Sequence, residues 1–257
     1  MSERNGYPQG TPCWADLSTS DVEGAREFYG ALFGWEWEVA GPEYGNYSTG
    51  RLRGRRVAAV ASRMDDSQPV VWTTYLAVDD ADKWAAAVPE AGGRVVMAPM
   101  EIPGQGRFGI GADPTGAFFG VWEAAEHRGS ELVNEPGTVV WNELVTSDLD
   151  AATAFYAATL GVSFEDMDTG GNGVYKLLKA GGRTAGGAMP LMPEMGDLPP
   201  HWGIYFEVAD ADAAVARAQE LGAQVLGPVQ QTPQGPMAML LDPQGGAFSV
   251  IASGSTE

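Results

Sequence analysis

The sequence predicts an α+β fold built from four βαβββ modules in two homologous halves. Three observations predict it. The stretch WADLSTSDVEGAREFYGALFGW (14–35) returns as WNELVTSDLDAATAFYAATLGV (141–162), displaced by 127 residues. Later segments repeat at nearly the same offset: 47–61 with 175–189, 71–95 with 201–225, and 113–122 with 242–251. Within each half, an apolar run, an S/D-D turn, a helical pattern and a glycine occur twice, with runs beginning near Trp14, Trp72, Trp141 and Trp202.

Each module reads as strand, turn, helix and further strands. In the first, Val22, Ala25, Phe28, Tyr29, Leu32 and Phe33 share one face at a 3.6-residue period, which predicts a helix. Ser20 and Glu23 read as a capping box at its start, and Gly34 as its stop. The pieces WEWEV, YSTGRL and RRVAAVA then read as strands. In the second module, VDDADKWAAAVPEAGG is the helix, which Pro89 should end or kink. Strands RVVMAP, RFGIGA and AFFGVW follow it. The third module repeats the first: Leu149, Ala152, Phe155, Tyr156 and Leu160 form the apolar face, Ser147 and Asp150 a weaker capping box, and Gly161 the stop. The fourth carries VADADAAVARAQELGA as its helix. Between the halves, EAAEHRGSELVNEPG reads as a charged linker containing Gly and Pro, in which His127 is solvated. The expected domains are 1–128 and 129–257.

Bulk composition narrows the function. Of 257 residues, 44% are hydrophobic, enough for a packed core. The 34 acidic and 15 basic side chains give a net charge of −19. Such a surface repels phosphate backbones and anionic lipid, so neither nucleic acid nor membrane is an expected partner. The single cysteine, Cys13, rules out an intramolecular disulfide framework. No apolar run approaches the length of a membrane span (about 18 residues), and the polar start MSERNGYPQG has no signal-peptide core. A cytoplasmic monomer or homodimer is expected.

Taken in order, the SDxxxAxxFYxxxxGW segment, the V-x-D-x-D-x-A helix start and DPxG before a last apolar strand resemble the vicinal oxygen chelate superfamily. This is the group of glyoxalases, bleomycin-resistance proteins and extradiol dioxygenases. The resemblance spans about 11–124 and 137–252, most closely to the tandem glyoxalase-like proteins sometimes described as hydroxylases. It implies that modules pair into two cupped mixed sheets, each around a cleft. It also implies metal ligands at set positions on the concave faces, where a divalent ion needs His, Glu or Gln. In the first half those positions carry Trp14, Thr73, Gly120 and the run VAAVA. In the second they carry Trp141, Gly203, Ser249 and the run AGGAM. Indole and glycine offer no ligand, so neither metal nor cofactor is expected there. A relocated metal would have to draw on His201, Glu143 and Glu207.

Side chains alternate across a strand. If Trp14 faces the cleft, Asp16 does too, and Trp141 brings Glu143. Partner strands add Thr73 and Tyr75, then Tyr205 and Glu207. Last strands add Phe118 and Trp122, then Ser249. Cys13 points away by the same parity. Each cleft therefore holds Trp, Tyr and an acid, which suits a small, flat aromatic or polyketide-like ligand. The residues support binding of such a ligand in a metal-free cleft of the bleomycin-resistance kind. They also support an enzyme (hydroxylase or dioxygenase, lyase or isomerase) with Asp16 or Glu143 as general base. A third reading is a structural protein whose clefts have filled with side chains.

Overall fold

The structure is a computed structural model that describes residues 3–171 and 173–254. Asn172 of the predicted GGNG turn lies outside the described residues, as do residues 1–2 of the first expected domain and 255–257 of the second. The first half contains β1 (Pro12–Thr19), α1 (Val22–Phe33), β2 (Glu36–Val39), β3 (Ser48–Leu52), β4 (Arg55–Ser62), β5 (Val71–Ala77), α2 (Ala81–Glu90), β6 (Arg94–Ile102), β7 (Gly106–Ala112) and β8 (Phe118–Ala124). The second contains β9 (Val139–Thr146), α3 (Leu149–Leu160), β10 (Ser163–Asp166), β11 (Lys176–Ala180), β12 (Arg183–Pro190), β13 (His201–Glu207), α4 (Ala211–Glu220), β14 (Gln224–Val225), β15 (Gln230–Thr232), β16 (Gly235–Leu241) and β17 (Ala247–Ile251). Among the described residues, no helix is long and apolar enough to cross a membrane.

Each half closes its own mixed sheet, so modules pair within the chain. The first sheet runs β2-β3-β4-β1-β5-β8-β7-β6, and the second repeats it as β10-β11-β12-β9-β13-β17-β16-β14, with β15 on β16. The two modules of a half join where β1 meets β5 antiparallel, with Trp14 opposite Tyr75 and Asp16 opposite Thr73. On the other side β1 pairs parallel with β4.

All four helices start the same way. Asp21, Asp80, Asp148 and Asp210 each accept a hydrogen bond from the backbone N–H three residues on. The cap is thus one residue later than Ser20 and Ser147. Thr19 and Thr146 hydroxyls accept from the N–H groups of Asp21 and Asp148, which fixes the backbone at each cap. Gly34 and Gly161 end α1 and α3 in the left-handed conformation, φ 75° and 68°. Pro89 sits one residue before the end of α2.

The faces of the sheets away from the cups pack against each other, with the helices between them. One core joins Leu17, Phe28, Tyr29 and Trp72 of the first half to Phe206, Leu240 and Phe248 of the second. Another joins Trp84, Phe119 and Val121 to Phe155, Tyr156 and Trp202. Two crossed relays lock the seam. Trp72 Nε1 donates to the Tyr29 hydroxyl at 3.0 Å, and Tyr29 donates to Asp242 Oδ2 at 2.8 Å. Trp202 Nε1 donates to the Tyr156 hydroxyl at 2.8 Å, and Tyr156 donates to Asp113 Oδ2 at 3.2 Å. Each aspartate opens the DPxG turn of the opposite half, and both are buried. A buried carboxylate needs such a donor, because an unpaired one carries a large desolvation cost.

The segment read as a solvated linker is instead packed against the first sheet. Ser130 N donates to Cys13 O at 2.8 Å, Glu131 N to Arg56 O at 2.8 Å, and the Ser130 hydroxyl to Val57 O at 2.9 Å. This crossing carries His127 under the first cup.

Candidate functional site

Alternation along β1 sends Ala15 and Leu17 into the seam and Trp14 and Asp16 into the first cup. The cup encloses about 470 Å³, within the range of small-molecule sites. Trp14, Asp16, Tyr75 and Trp122 of the predicted set line it. A continuous hydrogen-bond network forms its floor. Trp14 Nε1 donates to the Tyr47 hydroxyl at 2.9 Å, and Tyr47 donates to Asp16 Oδ2 at 3.0 Å. Tyr75 donates to both Asp16 oxygens, at 3.1 and 3.3 Å. Burial pushes the Asp16 carboxyl up to about 6, against the opposing pull of the two tyrosine hydroxyls. Burial and the Asp16 charge in turn hold Tyr47 and Tyr75 well above the ordinary phenol range, so both stay protonated donors.

The second cup repeats the floor. Trp141 Nε1 donates to the Tyr175 hydroxyl at 2.9 Å, Tyr175 to Glu143 Oε1 at 2.7 Å, and Tyr205 to Glu143 Oε2 at 2.8 Å. Ser249 lies opposite Tyr205 on β17. Glu207 accepts from the Ser253 hydroxyl, and burial raises its carboxyl.

Two predicted residues stand apart from the first cavity. Thr73 shares the Asp16 face by register but does not line it. Phe118 is 54% exposed at the start of β8, with Arg94 5.9 Å from its ring centre. Alternation gives the face of a residue, not its depth along the strand. Cys13 is buried, its thiol donates to Tyr75 O, and burial pushes it up.

Sequence reasoning missed Tyr47, Tyr175, Phe108, Arg56 and His127. The two tyrosines are equivalent residues of the repeat, and that retention was the available signal. His127 corrects the expectation of a solvated side chain. Its ring lies 4.5 Å from Trp14 and 5.1 Å from Trp122, centre to centre. Burial, aided by the Arg56 charge, holds it down to about 4, so it is neutral. Its Nδ1 accepts from Gly129 N at 3.4 Å, which leaves the proton on Nε2.

The positions that the resemblance assigns to metal ligands do not fit a divalent ion. The Tyr75 ring fills the space over Gly120, where an added Cβ would come within 2.8 Å of its Cγ. The Tyr175 hydroxyl fills the space over Gly187. The relocated set does not assemble either. Glu143 accepts from Tyr175 and Tyr205, Glu207 accepts from Ser253, and His201 Nδ1 lies 2.8 Å from Pro199 O, so the three belong to separate hydrogen-bond networks. Among the described residues, no three His, Cys, Asp or Glu side chains come together to hold a metal ion.

Comparison with known proteins agrees with this architecture. Residues 13–121 match the Glyoxalase/Bleomycin resistance protein/Dioxygenase superfamily, and residues 138–251 match a Glyoxalase-like domain. The putative glyoxylase CFP32 of Mycobacterium tuberculosis (strain CDC 1551 / Oshkosh) is 43% identical over 98% of both chains. The anthracycline biosynthesis protein DnrV of Streptomyces peucetius is 41% identical over 95% of this chain and 94% of its own. Among solved structures, the 2,3-dioxygenase LapB from Pseudomonas sp. KL28 shares the fold at a TM-score of 0.67 and 13% identity, covering 96% of this chain and 94% of that one. The Mn(II)-bound glyoxalase from Novosphingobium aromaticivorans does so at 0.65 and 17%, covering 95% and 83%. With one match in each half and full-length relatives of this identity, the chain belongs to the glyoxalase/bleomycin resistance protein/dioxygenase superfamily.

Proposed function

We propose that the chain binds a flat, hydroxylated aromatic molecule in the first cup, with Asp16 accepting a hydrogen bond from a ligand hydroxyl. The observation that carries this reading is a buried carboxylate at the floor of a cavity walled by Trp14, Tyr75, Phe108 and Trp122. Aromatic rings bury large areas and stack on a planar ligand with geometric preference. The ligand hydroxyl would meet an acceptor whose competing donors are already fixed. Arg56, Gln105 and neutral His127 also line the cavity and supply donors for ligand oxygens. The name of the relative DnrV refers to anthracycline biosynthesis, and anthracyclines are polycyclic hydroxylated aromatics of this shape.

One observation favours an enzyme on the same site. A carboxyl raised to about 6 is ionised near neutrality yet basic enough to take a proton from a phenol or an acidic C–H. In that reading Asp16 is the base, with Tyr47 and Tyr75 both donating to Oδ2 and Tyr75 also reaching Oδ1.

Absorbance titration with quinizarin, and with anthraquinone lacking the hydroxyls, tests the proposal. Quinizarin should bind, and Asp16→Asn should weaken it by about tenfold, equal to about 1.4 kcal/mol. Anthraquinone should bind equally to both proteins. Equal quinizarin binding by wild type and Asp16→Asn would refute the assigned role. Deuterium uptake from heavy water into a bound substrate, lost in Asp16→Asn, would establish catalysis beyond binding.

A further inference from the structure

A second cavity, of about 510 Å³, lies where the halves meet, bordering the first cup at Trp14 and the second at Trp141. Its walls are the N-terminal arm, the starts of β1 and β9, and the start of β12. The arm is tied to both halves. Tyr7 donates its hydroxyl hydrogen to Ser130 O at 2.7 Å, Gly10 N donates to Ala77 O at 2.7 Å, and Gln9 Nε2 donates to Leu160 O at 3.2 Å.

The charges lining this cavity are the reverse of the surface average. Arg4 and Arg183 line it, and no Asp or Glu does, in a chain with 34 acidic side chains. Neither arginine forms an ion pair among the described residues. Most other cations here do; Arg51 meets Glu38 and Arg107 meets Asp82. Two buried polar atoms in the same wall, Arg4 Nε and Thr11 Oγ1, find no hydrogen-bond partner in the protein. Buried polar groups are almost always paired, so two orphans in one cavity call for a partner from outside. Tyr7, Pro8, Val133 and Val139 add apolar surface to a wall that also carries the neutral polar side chains of Ser130, Asn134 and Asn142.

We propose that this cavity binds a small organic anion, a carboxylate or a phosphate ester with an apolar body, held by Arg4 and Arg183. Guanidinium groups pair with either oxyanion in a forked geometry. The missing carboxylates remove the local repulsion that a −19 chain otherwise presents to an anion. Because the arm and both halves contribute walls, the site exists only in the joined chain.

Calorimetric titration of the full chain with benzoate, phenyl phosphate and benzamide tests the assignment. At least one of the two anions should bind at least tenfold tighter than neutral benzamide, and which one does identifies the oxyanion. Arg4→Gln and Arg183→Gln should each weaken that binding at least fivefold. Quinizarin binding in the first cup should be unchanged in both variants, which separates the two sites. Arg183 is exposed, so its variant keeps the fold, as circular dichroism would verify. Three results overturn the proposal: neither anion binds, leaving water as the partner of Arg4 and Thr11; benzamide binds as well as the anions; or both arginine variants bind like wild type.

Discussion

Asp16→Asn should remove a pH dependence from stability as well as weaken ligand binding. Asp16 is 8% exposed, and its carboxyl is shifted from 3.8 to about 6 by burial. The folded chain therefore holds this proton more tightly than the unfolded chain. Its contribution favours folding fully below the unfolded value, and is lost as pH rises through the interval from 3.8 to about 6. At about 1.36 kcal/mol per pH unit, the loss is about 3 kcal/mol. Asparagine does not titrate. Its amide re-pairs with Tyr47 and Tyr75 in a way that does not change with pH. The stability of wild type minus that of Asp16→Asn should thus fall by about 3 kcal/mol between about pH 3.5 and about pH 7. Urea unfolding of both proteins across this range measures it, and the subtraction cancels the other titrating carboxylates. A difference that stays flat, or grows with pH, would refute the reasoning. It would mean that the two tyrosine donors balance desolvation, if flat, or outweigh it and hold the carboxylate as a stable anion, if growing.

Two further substitutions test the packing around this network. In Gly120→Ala the new methyl would meet the edge of the Tyr75 ring at Cδ1 and, 2.5 Å away, at Cε1, so the ring must shift from its place beside Asp16. We expect a loss of about 1–3 kcal/mol in urea unfolding together with weakened quinizarin binding. Unchanged stability and binding would show that the ring has room to move. Tyr29→Phe and Tyr156→Phe each strand an indole N–H and a carboxylate oxygen inside the seam. Each should cost about 1–3 kcal/mol, read as a lower thermal midpoint. A loss under about 0.5 kcal/mol, the usual scale of a surface substitution, would count against the relays as structural locks.

The parts of the fold that depend on local periodicity were legible in the sequence. The helix face of Val22 to Phe33, the stops at Gly34 and Gly161 and the shared face of Trp14 and Asp16 all follow from 3.6- and two-residue repeats. Tyr47 was not legible as a site residue, because it reaches Asp16 across the β3–β4–β1 order, and strand order is not written in local pattern. His127 was misread for a related reason. Its charged, Gly-containing neighbourhood has the composition of a solvated loop, yet Ser130 and Glu131 bond to β1 and β4 and pull the segment inward. The capping positions slipped by one because serine and aspartate stand side by side, and both residue types cap well. Only backbone geometry chooses between them.

What the second copy kept answers what the repeat is for. On the back, it kept Tyr29 as Tyr156, Trp72 as Trp202 and Asp113 as Asp242, the members of the crossed relays. Each half completes the buried turn of the other, so a change to a relay tyrosine or aspartate leaves a polar group orphaned in the opposite half. In the cups it kept the floor: Trp14 as Trp141, Tyr47 as Tyr175, Tyr75 as Tyr205, and an acid at Asp16 and Glu143. The walls did not follow. The Phe108–Trp122 pair of β7 and β8 becomes Met237–Ile251 of β16 and β17, and Arg56 becomes Thr184 at the same register. A flat ring packed on the Phe108 and Trp122 surface of the first cup would meet flexible aliphatic and thioether surface in the second, with no guanidinium. Two cups on one floor plan but with different walls would select different ligands, and the first is the one whose chemistry suits a planar hydroxylated aromatic.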